Sequence, residues 1–251
     1  MMPRVLATPE VHTPDRVGEL HLAVAAPELQ PPLAAPLALH GVSKCWSSGQ
    51  TPVLDDVSLT LDAGTSTWIG GRNGVGKTTL LRIAAGLIHP ESGRAEVRGL
   101  TVHEDRARYQ RLVSFLPAGD RGLYARLTVR RHLEFCARIA MVPREQLGSS
   151  VQETIETFQL GELAARRVDR ISMGQRQRLR IAMTFLPRPE VLLLDEPLTS
   201  LDEEGVQLLR EASAGLRAHG GAVLWCSPNV DHHQGRFDAR WTLECGRLVP
   251  V

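Results

Sequence analysis

Eight consecutive residues, Gly71-Arg72-Asn73-Gly74-Val75-Gly76-Lys77-Thr78, satisfy the pattern G-x-x-x-x-G-K-[ST]. The glycines let the backbone curl until successive N–H groups point into one concavity, and a helix starting there adds the positive end of its dipole. Lys77 brings a full positive charge, and Thr78 a hydroxyl where Mg²⁺ would sit. Such a loop holds the β- and γ-phosphates of a nucleoside triphosphate. The chain has only two lysines, Lys44 and Lys77, against 27 arginines, which makes the position of Lys77 conspicuous.

Val191-Leu192-Leu193-Leu194-Asp195-Glu196 reads as a buried apolar strand that delivers two carboxylates at its C-terminal end. Ligands of open α/β sheets collect at that end. Asp195 is suited to hold Mg²⁺, directly or through water. Glu196, one residue later and on the other side of the backbone, is a candidate general base for an attacking water. A third stretch, Ile171-Ser172-Met173-Gly174-Gln175-Arg176-Gln177-Arg178, sets Ser172 and Gly174 at the start of a helical run. That is a second anion site, or an ordinary helix cap.

The third stretch resembles the LSGGQ signature of the ATP-binding cassette (ABC) family, and it stands shortly before the carboxylate strand, as in that family. The resemblance covers roughly Leu37 to Val251. It implies ATP and Mg²⁺ as cofactors, with Gly71 to Thr78 and the adjoining Thr79 around the phosphates, and Thr78 and Asp195 on the metal. It also implies a head-to-tail dimer in which Ser172, Met173, Gly174 and Gln175 close over the ATP of the opposite subunit. Ser200-Leu201-Asp202 matches the family's D-loop at that interface, and Trp46 matches the aromatic residue that stacks on adenine. The implied activity is ATP hydrolysis with Glu196 as the catalytic group. The implied partners are a second cassette, identical or not, and a separate multi-span membrane subunit. The implied location is cytoplasmic, on the inner face of the membrane. Pro117-Ala118-Gly119-Asp120-Arg121-Gly122-Leu123-Tyr124, followed by Leu127-Thr128-Val129-Arg130, is similar to single-cassette exporter ATPases and implies export.

Two positions depart from the family pattern. The glutamine expected after the strand at Leu112 to Leu116 is replaced by Ala118, leaving Asp120 nearby as a candidate substitute. The histidine expected after the last core strand is replaced at Ser227-Pro228, with His232 and His233 following in a stretch that reads as a solvated loop. Intact binding with slow turnover is the expectation. Two alternatives stay open: an ATP-gated regulatory or assembly subunit that barely hydrolyses, and a non-transport ABC protein acting on DNA or ribosomes.

The elements that must position these residues follow from periodicity. Leu37 to Val42, Val53 to Leu61, Ser66 to Gly70, Ala95 to Val97 and Leu112 to Leu116 read as strands. Helical spacing then takes over, with one helix marked by Val129 to Met141, another by Ile155 to Leu163 and a third over Gln175 to Phe185. Val191 to Leu194 and Ala222 to Trp225 return as buried strands around a helix at Glu203 to Arg217. The alternation predicts an α/β fold. By resemblance it is a P-loop NTPase (RecA-like) core with an N-terminal antiparallel β-subdomain and an inserted α-helical subdomain at about 119–185. Residues 1–36, rich in Pro and Ala, read as a flexible tail before a domain at 37–251.

Composition narrows the classes. At 251 residues and a net charge of +1 the chain holds one sizeable domain and lacks the basic balance of a nucleic-acid binder. Its apolar runs fall short of the ~20 residues that a membrane-spanning helix needs. The start, Met1 to Leu20, is broken by prolines and acids rather than patterned as a secretory signal. Cys45, Cys136, Cys226 and Cys245 lie far apart with no metal-ligand spacing, so they read as reduced thiols.

Overall fold

The computed structural model describes residues 34–47, 51–228 and 237–251. The expected tail therefore lies almost wholly outside the described residues, as do His232 and His233. Two sheets organise the rest. Strands β1 (Leu37–Lys44), β2 (Leu54–Leu61), β4 (Ser92–Val97) and β5 (Leu100–Thr101) form an antiparallel sheet in the order β2-β1-β4-β5. The second sheet runs β10-β9-β3-β8-β7-β6, with β3 (Ser66–Gly70), β6 (Val113–Leu116), β7 (Val191–Asp195), β8 (Ala222–Cys226) and β9 (Ala239–Glu244) parallel and β10 (Arg247–Pro250) antiparallel at the edge.

The central strands are apolar on both faces because both are covered, as parallel sheets require. Leu192, Leu194, Val223, Trp225 and Trp68 enter one core, built with helices α3 (Val129–Ile139), α4 (Arg144–Thr157), α5 (Met173–Phe185) and α6 (Glu203–Ala218). Val191, Leu193, Ala222, Leu224 and Ile69 enter the other, with helix α1 (Lys77–Ala84), Tyr109 of α2 (Arg106–Leu112) and the antiparallel sheet. The two-residue period of a strand thus divides one sheet between two cores. The α/β architecture, with its antiparallel sheet and its helices between β6 and β7, is the one expected.

Several boundaries differ from the periodicity. The helix read at Ile155 to Leu163 is α4, which begins at Arg144 and ends at Thr157; Phe158 and Leu160 are buried beyond its end, and Gly161–Leu163 forms a separate 3-10 turn. The first turns of α4 are polar, so apolar spacing could not reveal them. Leu112 closes α2 instead of opening β6, and the β9–β10 hairpin lies beyond the last expected strand. Its signal is the alternation on either side of Cys245-Gly246, both in the left-handed region at φ 48° and 81°. That is the backbone a two-residue hairpin loop needs.

Caps fix the helices that matter below. Thr128 Oγ1 accepts from the Arg131 N–H, and Asp202 from the Gly205 N–H at 2.8 Å. Ser172 and Gln175 form a reciprocal capping box at the start of α5. Inside α3, His132 is buried, and its Nε2 accepts the Tyr124 N–H at 2.9 Å while Nδ1 lies 3.8 Å from Cys136 Sγ. Burial holds its pKa below the usual histidine value.

Because the native state binds that proton less readily than the unfolded chain, the stabilisation from neutral His132 is complete above about pH 6.5 and is lost as the pH falls through the lowered value. Thermal melts of the wild type should therefore show a falling Tm on acidification below about pH 6.5. His132→Gln, whose amide oxygen can still accept from Tyr124, should flatten that slope; an equal slope in both proteins would assign the acid sensitivity elsewhere.

Candidate functional site

The loop after β3 is shaped by glycine where no other residue fits. Gly76 lies at φ 119°, and a Cβ there would sit 2.8 Å from the Val53 carbonyl. Gly74, at φ 81°, faces open space. Gly76 caps α1 without a side-chain hydrogen bond, so no side chain competes for the free N–H groups of the first turn. Lys77 is 5% exposed, and its Nζ donates to the carbonyls of Gly71 and Arg72, folding the ammonium back along the loop.

The decisive contact joins two distant segments. Thr78 Oγ1 donates to Asp195 Oδ2 at 2.7 Å across 117 residues of sequence. Asp195 ends β7 almost fully buried, and Glu196 follows at φ 48°, a backbone that non-glycine residues adopt only when the surroundings impose it. Its N–H is held by the Cys226 carbonyl at the end of β8. The cleft these groups make encloses about 240 Å³ and is lined by Trp46, Val53, Asn73, Gly74, Gly76, Lys77, Thr78, Thr79, Asp195 and Glu196.

Nine of the expected site residues line this cleft: Trp46, Asn73, Gly74, Gly76, Lys77, Thr78, Thr79, Asp195 and Glu196. Gly71, Arg72 and Val75 do not line the cleft: Val75 packs against the second core, Arg72 is exposed, and Gly71 abuts the Leu243 carbonyl. Trp46 is 58% exposed at the rim, with Lys44 Nζ 5.6 Å from its ring centroid. A cation on one face leaves the ring's quadrupole available to a base on the other. Val53 was not expected; it sits at the mouth of a strand, and nothing in its type marks it.

The signature segment lies apart from this cleft. Ser172, Met173, Gly174 and Gln175 are absent from its lining, and two of them lie against the D-loop: Ser200 Oγ donates to Met173 Sδ at 3.2 Å, and a Cβ on Gly174 would come within 2.9 Å of the Ser200 carbonyl. Leu201 is half-buried, and Asp202 takes Arg178 at 3.2 Å while Arg178 also reaches Glu204 at 2.7 Å. The Gly205 N–H, with Arg178 adding to it, holds the Asp202 carboxyl below the usual range.

Both departures are visible. Ala118 is exposed, and Asp120 lies outside the cleft lining, its charge acting on Arg180. Ser227 Oγ accepts from Trp68 Nε1 at 2.8 Å, and Pro228 is exposed. Among the described residues no group of three or more His, Cys, Asp or Glu side chains is placed to hold a metal. A hydroxyl beside a single buried carboxylate is instead the sparse oxygen set that suits Mg²⁺, which draws its remaining ligands from water and phosphates. None of the described helices is long and apolar enough to cross a membrane.

Comparison with known proteins agrees with the geometry. The ABC transporter family model matches residues 54–199. The chain is 30% identical over 194 residues to the ABC transporter ATP-binding protein NatA of Bacillus subtilis, covering 77% of this chain and 79% of that protein. It is 35% identical to the cytochrome c biogenesis ATP-binding export protein CcmA of Sphingopyxis alaskensis, over 76% of this chain and 89% of that one. It is 36% identical to the Fe(3+) ions import ATP-binding protein FbpC of Pseudomonas fluorescens, over 85% of this chain and 60% of the relative. A solved ATP-binding subunit of an ABC transporter superposes with a TM-score of 0.77 at 25% identity, covering 84% of this chain and 87% of that one. Family match, relatives and fold together make this chain an ATP-binding subunit of the ABC transporter family.

Proposed function

We propose that the chain binds ATP with Mg²⁺ in the cleft around Lys77, closes on a second cassette, and drives a separate membrane subunit in export. The observation that carries the proposal is the Thr78–Asp195 contact, because it sets a phosphate-binding loop, a metal-suited oxygen pair and the Glu196 carboxylate within one cleft. In this reading the loop N–H groups and Lys77 hold the β- and γ-phosphates, Trp46 stacks on the adenine, and Glu196 accepts the proton of the attacking water. Thr78 and Asp195 would hold the Mg²⁺, which supplies positive charge to the phosphates. The export direction is supported by the segment 117–130 and by the likeness to CcmA, while the relatives also include importers.

The signature face supports a sandwich between subunits, since Ser172 to Gln175 and the D-loop lie together away from the chain's own cleft. The helices between β6 and β7 form the proposed inserted subdomain and carry the docking surface for the membrane subunit, with Tyr124, Phe135 and Ile139 exposed on it. Ala118 in the loop and Pro228 after β8 carry no polar side-chain atom for the γ-phosphate, which favours tight binding with slow hydrolysis.

ATP at a hundredfold its Kd should stabilise the protein by about 2.7 kcal/mol, raising Tm by roughly 5–10 °C. Lys77→Ala should lose most of that rise, and an unchanged rise would move the phosphate site elsewhere. Glu196→Gln should lower phosphate release by about 10²–10⁴-fold while ATP binding persists, and sizing chromatography should then capture an ATP-dependent dimer. Turnover of the order of 10 s⁻¹ that survives in Glu196→Gln would contradict both the base and the slow rate.

A further inference from the structure

Helix α5 carries a charge deep in its packing. Arg180 is only 3% exposed, and its guanidinium donates to the carbonyls of Pro117, at 2.6 Å, and Gly119, and to Gln177 Oε1 at 2.6 Å. Gln177, also buried, turns its amide nitrogen the other way and donates to the Pro197 carbonyl at 2.9 Å. Residues 177 and 180 stand one helical turn apart, so their side chains are neighbours. Together they make an unbroken hydrogen-bonded chain from the segment after β6, across α5, to the backbone just past Glu196.

Burying a guanidinium is costly, and an apolar side chain would fill the same space without that cost. What the arginine adds is a rigid planar fork that grips two carbonyls of one loop while binding a third acceptor. The loop's own side chain at Ala118 has no polar atom, so the connection to this segment runs through its backbone. At the other end the pyrrolidine ring fixes φ of Pro197. With that φ fixed, a pull on the Pro197 carbonyl has only ψ of Pro197 to absorb it before it reaches ψ of Glu196, whose φ is already left-handed at 48°.

We infer that Arg180 and Gln177 are positioning residues for hydrolysis: they tie the 117–119 segment to the backbone beside Glu196, so that displacement of that segment resets the carboxylate. The inference rests on the reading of Glu196 as the base. It assigns to two residues of α5 a link that the side chains of Pro117 and Ala118 cannot make, with the charge of Asp120 beside Arg180.

The test is a double-mutant cycle on the full chain. It uses Arg180→Met, Gln177→Met, the pair together and Arg180→Lys, measuring kcat and KM for ATP, the Kd of a fluorescent ATP analogue and Tm. Each single methionine variant should lower kcat by about tenfold with Kd within about twofold, and the double variant should be no slower than the worse single one. Arg180→Lys, whose ammonium can still reach a loop carbonyl, should recover part of kcat. Should Arg180→Met fail to fold, Arg180→Lys crossed with Gln177→Met completes the cycle. Independent effects that multiply to about a hundredfold would overturn the relay, as would a lowered Tm with wild-type kcat in the folded protein. Turnover that survives in Glu196→Gln overturns the base itself, an outcome distinct from additivity between 177 and 180.

Discussion

The hydrogen bond from Thr78 Oγ1 to Asp195 Oδ2 joins the end of one parallel strand to the start of the helix that follows another. The rest of the site depends on that meeting. β3 and β7 are not neighbours; β8 lies between them and pairs with both, so the ends of the three strands face the same edge of the sheet. The phosphate loop leaves from β3, the carboxylates from β7, and the Cys226 carbonyl at the end of β8 fixes the Glu196 backbone. A slip of one residue in the β7–β8 register would turn Asp195 away from Thr78, because successive residues of a strand face opposite sides of the sheet.

That arrangement separates holding a nucleotide from acting on it. The groups suited to hold phosphate belong to one loop and helix, β3 to α1, and are fixed by glycine geometry and by Lys77. The group suited to act on water, Glu196, follows β7 and is held from outside the loop, by Cys226 on one side and by Gln177 through Pro197 on the other. In the proposed reading, binding therefore has a local cause, while chemistry depends on how α5 and the segment after β6 are set.

What the sequence made legible follows the same division. Glycine spacing, one of only two lysines and an apolar strand ending in two acids report local requirements, and Gly74, Gly76, Lys77, Thr78, Asp195 and Glu196 line one cleft. The start of α5 is also readable, because Ser172 is a cap, whereas its contact with Ser200 comes from tertiary packing. Arg178 and Arg180 were not legible, because a charged residue in a helix ordinarily faces water; only tertiary packing puts them beside Asp202 and the 117–119 carbonyls. The start of α4 and the edge hairpin were hidden for the opposite reason, since their polar and short alternating stretches carry too little apolar signal.

The most direct test of this division is the identity of the nucleotide that the wild-type protein carries during steady-state turnover. Rapid quenching with radiolabelled ATP and Mg²⁺ gives the ratio of bound ATP to bound ADP. If the cleft holds ATP well and hydrolyses it slowly, most of the bound label is ATP, and the ratio shifts further towards ATP in Glu196→Gln. Bound label that is mostly ADP, unchanged by Glu196→Gln, would contradict the account.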